Sequence, residues 1–160
     1  MITGCDHFAI QVAEVERSSR FYSENLGFKQ VERWSLREPY VQRVVGHYPD
    51  VTLEIAVLSI PGTELFLEIL EYRDVPKQAI DTDTANPGTA HFCLFVDDLE
   101  TLYAQLLERG VEFVSELQTP TWGPNLGGRL VYMKDPDGIR VELVQTARRS
   151  DGTLLREVES

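Results

Sequence analysis

Four residues of this chain carry donors in a pattern that chemistry can use: His7, Glu68, His91 and Glu142. Each stands in a short stretch where side chains alternate between two faces, as they do along a strand. In His7-Phe-Ala-Ile-Gln-Val12, His7, Ala9 and Gln11 oppose Phe8, Ile10 and Val12. In His91-Phe-Cys-Leu-Phe-Val96, His91, Cys93 and Phe95 oppose Phe92, Leu94 and Val96. Glu68 shares a face with Phe66 and Leu70, and Glu142 with Arg140 and Val144. The aliphatic faces are expected to pack on helices, and the faces with histidine and glutamate to line a cup. Two imidazoles and two carboxylates make an N2O2 set suited to one divalent ion (Zn, Ni, Co, Mn or Fe). Water would complete an octahedron and leave positions open for substrate. Taken alone, any one of these side chains would be an ordinary residue on a half-buried strand. Together they stand out, because they include two of the three histidines and because they recur with an internal repeat.

The repeat sets the elements that must position them. The two histidine stretches lie 84 residues apart, and each leads through an acidic start into a helical pattern ending at glycine, Gly27 or Gly110. In the second, Leu99, Leu102, Tyr103 and Leu106 follow the i, i+3, i+4, i+7 spacing of one helical face. Asp97 and Glu100 have the spacing of a capping box. A glycine at each end suits the left-handed residue that closes a helix. The period then switches to two. Leu65–Leu70 follows the Pro61-Gly62 turn, Ile139–Val144 follows Asp135-Pro-Asp-Gly138, and Leu53–Ser59 and Arg129–Met133 supply further strands. Superposing the two turns aligns Glu68 with Glu142; Glu54, Glu64 and Glu71 do not align. The offset here is 74 residues, so the first copy carries ten extra residues, placed within 34–50.

The expected fold is α+β: two paired βαβββ modules forming a curved mixed sheet with a metal-binding cup, helices on the outer face. Module one spans residues 4–73 and module two 88–146. Residues 74–87 are a polar, proline-flanked linker, and 147–160 a charged tail. A cup between symmetric halves is where a ligand site is expected.

Composition narrows the function. The chain has 160 residues, 42% apolar and 26% charged, with a formal net charge of −11, an ordinary globular composition. That charge argues against nucleic acid and anionic membranes as partners, leaving a small-molecule substrate. No apolar run approaches the roughly 20 residues of a membrane helix. The first residues show no basic signal region, and the two cysteines make no disulfide framework. The expected location is the cytoplasm.

These pieces resemble the vicinal oxygen chelate superfamily, which includes glyoxalase I (lactoylglutathione lyase), methylmalonyl-CoA epimerase, fosfomycin and bleomycin resistance proteins and extradiol dioxygenases. The matching segments are Asp6–Val12, Phe21-Tyr22 through Leu26-Gly27-Phe28, Phe66–Leu70, His91–Asp98, and Asp135–Gly138 through Glu142-Leu143. The resemblance puts the superfamily's metal positions on His7, Glu68, His91 and Glu142. A glutamate at position 68 is similar to the lyases; the epimerase has glutamine there, and dioxygenases and fosfomycin enzymes use two histidines and one glutamate. The implied function is a glyoxalase-like lyase or isomerase, working by metal-stabilised enolate (enediolate) chemistry on a small oxygenated substrate. Glu68 or Glu142 would be the base, and the pseudo-symmetry leaves open which one. The resemblance also implies a homodimer, with sites inside one chain or shared by two.

Two other functions fit parts of the pattern. An Fe(II)-dependent dioxygenase would use His7, His91 and Glu142. A metal-free drug- or metabolite-binding protein would need no metal set. Candidate substrate contacts are Trp34, Arg43 and His47 in the extra residues of module one, and Trp122, Asn125 and Arg129 in a glycine-bearing stretch read as a lid at the cup mouth. Cys5 and Cys93 are read as small residues on the cup face rather than thiolate ligands.

Overall fold

A computed structural model describes residues 1–46 and 48–148. His47 and the tail beyond Arg148 lie outside the described residues. The chain divides into two compact units, Met1–Ile80 and Asp81–Ser160. Both are mixed α+β, with a four-stranded sheet in the first and a three-stranded sheet in the second. No described helix is long and apolar enough to cross a membrane.

Unit one runs β1 (His7–Gln11), α1 (Val15–Leu26), β2 (Lys29–Leu36), α2 (Pro39–Val44), β3 (Thr52–Ser59) and β4 (Phe66–Arg73). The sheet order is β1-β4-β3-β2, with β1 parallel to β4 and the other pairs antiparallel. Helix α1 buries Val15, Ser18, Ser19 and Tyr22, the i, i+3, i+4, i+7 stripe of a helix lying on a sheet. Two serines in the stripe let the helix approach closely. Tyr22 is fully buried and packs its ring 5.6 Å from Phe28. Gly27 closes the helix at φ 71°, returning its N–H to Ser23 O and Tyr22 O. Across the sheet, Leu67 and Ile69 fill the same core, each worth about 1.5–3 kcal/mol of burial.

The extra residues of module one are not a bare loop. Pro39 starts α2, and Val41 of α2 is buried with Val51, Leu53 and Ile55. Trp34, Leu36, Val57, Leu70 and Tyr72 pack against this cluster. Cross-strand pairing of Ile55 with Leu70 and of Val57 with Glu68 puts the cluster on the Glu68 face of the sheet. That face is therefore partly covered by the insertion.

Unit two runs β5 (His91–Phe95), α3 (Leu99–Glu108), β6 (Arg129–Lys134) and β7 (Arg140–Gln145), in sheet order β5-β7-β6. Leu99 and Leu106 anchor α3 with no exposed surface. The cap is Asp98, not Asp97: its carboxylate accepts from Thr101 N at 3.1 Å and from Thr101 Oγ1 at 2.7 Å. Glu100, expected in a capping box, instead pairs with Arg129. The second strand expected for this module is also reduced. Among the described residues its segment forms only two isolated bridges with β6, Phe113 to Met133 and Gln118 to Leu130. Five residue steps on one side face three on the other, and the two surplus residues break a continuous ladder.

Helices α1 and α3 share a device. In unit one, Glu71 at the end of β4 accepts the Val15 N–H at 3.1 Å. In unit two, Gln145 at the end of β7 accepts the Leu99 N–H at 2.8 Å. These positions match under the repeat, so the last strand of each unit supplies a side chain to the exposed donors of its helix.

Candidate functional site

The first and last strands of each unit are parallel neighbours, and their registers match. His7 lies opposite Phe66, and Ala9 opposite Glu68. His91 lies opposite Arg140, and Cys93 opposite Glu142. Each glutamate thus sits two residues beyond its histidine's partner, on the same face. In unit one His7 Nε2 is 3.5 Å from Glu68 Oε2. In unit two His91 Nε2 is 3.3 Å from Glu142 Oε2.

The surroundings of the pairs differ. His7 Nδ1 is 2.7 Å from Asp6 Oδ2. With the carboxylate as acceptor and the proton on Nδ1, Nε2 is left on the Glu68 side as a potential metal donor. The position matching Asp6 is Ala90. In unit two the support comes from Tyr132, which pairs with Glu142 across β6 and β7. Its hydroxyl is 3.3 Å from His91 Nε2. Its ring stands edge-on to the imidazole, 5.1 Å between centroids. Burial first, then the Glu142 charge and hydrogen bond, push the Tyr132 phenol up to about 12, so it remains a donor at neutral pH. Opposite Glu68 the matching residue is Val57.

Both pairs fit the edge of a metal coordination sphere. A separation of 3.3–3.5 Å exceeds the common hydrogen-bond length of about 2.9–3.0 Å. Neutral imidazole nitrogen beside carboxylate oxygen is also the right donor chemistry. Among the described residues, however, no group of three or more His, Cys, Asp or Glu side chains is gathered closely enough to hold an ion. The structure brings His7 to Glu68 and His91 to Glu142, one pair per unit.

Residues 4–143 match the Glyoxalase/Bleomycin resistance protein/Dioxygenase superfamily. The chain belongs to this superfamily. It is 24% identical over 154 residues to lactoylglutathione lyase from Schizosaccharomyces pombe, covering 87% of this chain and 46% of that protein. This chain therefore spans about half the length of that relative. It is 26% identical over 147 residues to 2-epi-5-epi-valiolone epimerase from an Actinomyces species, covering 86% and 76%. In three dimensions it resembles a glyoxalase family protein from Bacillus cereus, with TM-score 0.73 and 20% identity over 91% of this chain and 95% of that one. At that identity the likeness shows the fold.

Within this superfamily chain the other candidate residues scatter. Trp34 pairs with Ile55 and packs into the apolar cluster on the Glu68 face. Arg43 lies exposed on α2. His47 is outside the described residues. Trp122 is 89% exposed. Asn125 is part-buried, and its main-chain carbonyl accepts from Gly128 N at 3.0 Å. The stretch read as a lid is closed by main-chain bonds, including Gly127 N to Pro120 O at 2.9 Å. Arg129 must be withdrawn from the Glu142 face. It pairs with Gln145 and alternates with Tyr132, which puts it on the α3 side, bound to Glu100 at 3.0 Å and Thr119 at 2.8 Å. Cys93 shares the His91 face, while Cys5 precedes β1; both are exposed, and neither forms a disulfide.

Two supporting residues, Asp6 and Tyr132, escape the sequence reading. Asp6 had a signal, since it directly precedes a candidate ligand. Tyr132 had a weaker one, since alternation along Arg129–Met133 puts it opposite Val131 and Met133.

Glu54 and Glu71 have structural work. Glu54 bridges Arg33 at 3.0 Å and Arg73 at 3.2 Å. Burial works against ionising Glu71, but hydrogen bonds from Arg73 and Val15 N and the charges of Arg73 and Lys77 outweigh it, holding its carboxyl below the usual range.

Proposed function

We propose that the protein is a divalent-metal-dependent enzyme of the vicinal-oxygen-chelate type, a glyoxalase-like lyase or isomerase acting on a small substrate with neighbouring oxygens. The observation that carries this reading is the histidine–glutamate pair occurring twice, in one register and with one donor spacing. His7, Glu68, His91 and Glu142 would hold the ion, and the working assembly would be a homodimer. The resemblance of the chain to a lactoylglutathione lyase and an epimerase supports proton-transfer chemistry next to a carbonyl.

When bound, the ion supplies a Lewis acid that polarises a carbonyl. The protein's own residues do the rest. Asp6, as acceptor from Nδ1, leaves His7 Nε2 on the Glu68 side. A glutamate carboxylate takes the proton from the carbon beside the carbonyl and returns it to the neighbouring carbon, which requires reach of about 3 Å. The apolar cluster under the insertion keeps water from part of the Glu68 face.

The test is elemental analysis of protein purified without chelator, repeated on His7→Ala and Glu68→Ala. The expected result is about one ion per four-residue set, lost in His7→Ala and reduced in Glu68→Ala. Nickel, cobalt or zinc would lead to lyase and isomerase assays; iron would lead to oxygen-uptake assays for the dioxygenase. A wild-type protein that holds no ion and takes up none on addition refutes the reading and favours a ligand-binding protein.

A further inference from the structure

We infer that Arg140 is a substrate-binding residue, and that the substrate it selects carries a carboxylate, held beside the His91–Glu142 pair. The inference rests on the enzyme reading above and names the substrate class of that site: a small carboxylic acid with a neighbouring oxygen.

Arg140 opens β7 as the register partner of His91, and alternation puts it on the Glu142 face. It departs from the pattern that the other part-buried cations keep. Among the described residues these are Arg33, Arg129 and Lys134. Arg33 holds Glu16 and Glu54, Arg129 holds Glu100, and Lys134 holds Glu112. Among the described residues Arg140 makes no ion pair, and its Nε is enclosed with no hydrogen-bond partner. A guanidinium stays charged at any ordinary pH, and enclosing a donor without an acceptor costs stability. The terminal nitrogens are not enclosed with Nε. The packed stem therefore fixes the head group and leaves its outer edge open to a planar oxyanion.

The neighbouring charges set the class of anion. Glu142 lies two residues along the same face, with an oxygen 3.3 Å from His91 Nε2. Asp81 is exposed and its charge reaches Arg140, but its carboxylate accepts Asp83 N at 2.9 Å. Lys134 is the partner of Arg140 across β6 and β7 and is committed to Glu112. Arg140 is thus the uncommitted positive charge of this sheet face, in a chain of net charge −11. One such charge suits a monoanion with two coplanar oxygens, a carboxylate, better than a phosphate dianion. Unit one has no equivalent, since Phe66 and Ser59 hold the corresponding register. The repeat supplies the histidine–glutamate pair twice and the arginine once.

The experiment titrates glycolate, neutral glycolamide and inorganic phosphate into the full-length protein as purified, and again after chelation, at constant ionic strength. Calorimetry reads the affinity, and the thermal midpoint reads stabilisation by the bound anion. The proteins are wild type, Arg140→Met, Arg140→Lys and Arg20→Met. Methionine keeps an unbranched stem to cover the apolar surface under the arginine, and the midpoint of each free variant checks that it is folded. Arg20 is an exposed cation on α1 and controls for the change in net charge. Wild type is expected to bind glycolate with saturation in the millimolar range open to so small a ligand and to gain midpoint with it. Affinity should fall roughly tenfold or more in Arg140→Met and in part in Arg140→Lys, which keeps the charge and loses the fork. Arg20→Met should match wild type, and glycolamide should bind none of them after chelation. No glycolate binding by wild type, binding retained in Arg140→Met, or an equal loss in Arg20→Met would overturn the inference. Tighter binding of phosphate than of glycolate would overturn the carboxylate assignment. The two readings fail separately: loss of the Arg140 effect leaves the ion content untouched, and a protein that holds no ion yet binds glycolate through Arg140 refutes the metal reading alone.

Discussion

Replacing Glu71 with alanine is expected to cost about 3 kcal/mol, although the residue touches no proposed ligand. The Glu71 side chain is 9% exposed, and one oxygen accepts the Val15 N–H that opens α1. Glu14, at the N-cap position, makes no side-chain cap of its own. Losing the cap alone costs about 1 kcal/mol. The other oxygen holds Arg73 Nε at 2.9 Å, and a lost hydrogen bond to a charged group adds about 1.5–3 kcal/mol. Arg73 keeps Glu54 at 3.2 Å, which favours the lower part of that range. A loss of about 3 kcal/mol in a chain of this length lowers the thermal midpoint by roughly 6–12 °C. Glu71→Gln retains an oxygen for Val15 but turns its amide NH2 towards Arg73, so it should keep the cap of about 1 kcal/mol and still lose about 2 kcal/mol with the charged bond. The pH dependence has a definite sign. The folded-state pKa of Glu71 is lowered from the ordinary 4.5, so its ionic stabilisation is present in full above that value and fades as pH falls through the folded pKa. Thermal unfolding followed by circular dichroism at neutral pH, and stepwise between about pH 3 and pH 6, measures both effects. Glu71→Gln should lose stability less steeply in acid than wild type. An alanine variant within about 2 °C of wild type, or equal acid slopes for glutamine and glutamate, would refute the reasoning.

Gln145→Ala removes the matching bond to Leu99 N, but Asp98 continues to cap Thr101; the loss should be about 1 kcal/mol, or 2–4 °C in the same unfolding assay. Gly128→Ala should cost on the order of 3 kcal/mol, because a Cβ there would lie 2.3 Å from the Gln145 main-chain carbonyl oxygen. A fall in midpoint of several degrees is expected, whereas a wild-type midpoint would show that the β6–β7 junction tolerates a side chain.

Features fixed by period and repeat were legible in the sequence, and features fixed by contacts between unrelated segments were not. Strand alternation plus the repeat was enough to pair each histidine with its glutamate, because parallel register follows from equivalent turns before the last strands. The glycine ends of the helices were legible for the same local reason. The fold of the insertion was not, since the second copy has nothing to align with it, and Val41 finds Leu53 and Ile55 only after the sheet has formed. The choice of Asp98 over Asp97 as cap turns on one residue of helix phase, which spacing alone leaves undetermined. The shortened pairing of the second strand in unit two depends on two surplus residues between Phe113 and Gln118, a mismatch visible only against β6. Arg129 is different, because alternation with Val131 and Met133 already gave its side of the sheet. Its charge and its neighbouring glycines drew more weight than its parity.

A duplicated unit supplies two equivalent histidines and two equivalent carboxylates, and equivalence is a poor starting point for proton transfer. A carboxylate that holds a cation is made less basic by it, while a base must leave its partner and return. Two identical carboxylates cannot divide these tasks. The division requires a difference beside them, and the differences in this chain lie next to the repeated residues rather than at them: Asp6 against Ala90, and Tyr132 against Val57. Searching for the repeated pattern finds the donors. Assigning roles to them requires the positions where the repeat fails.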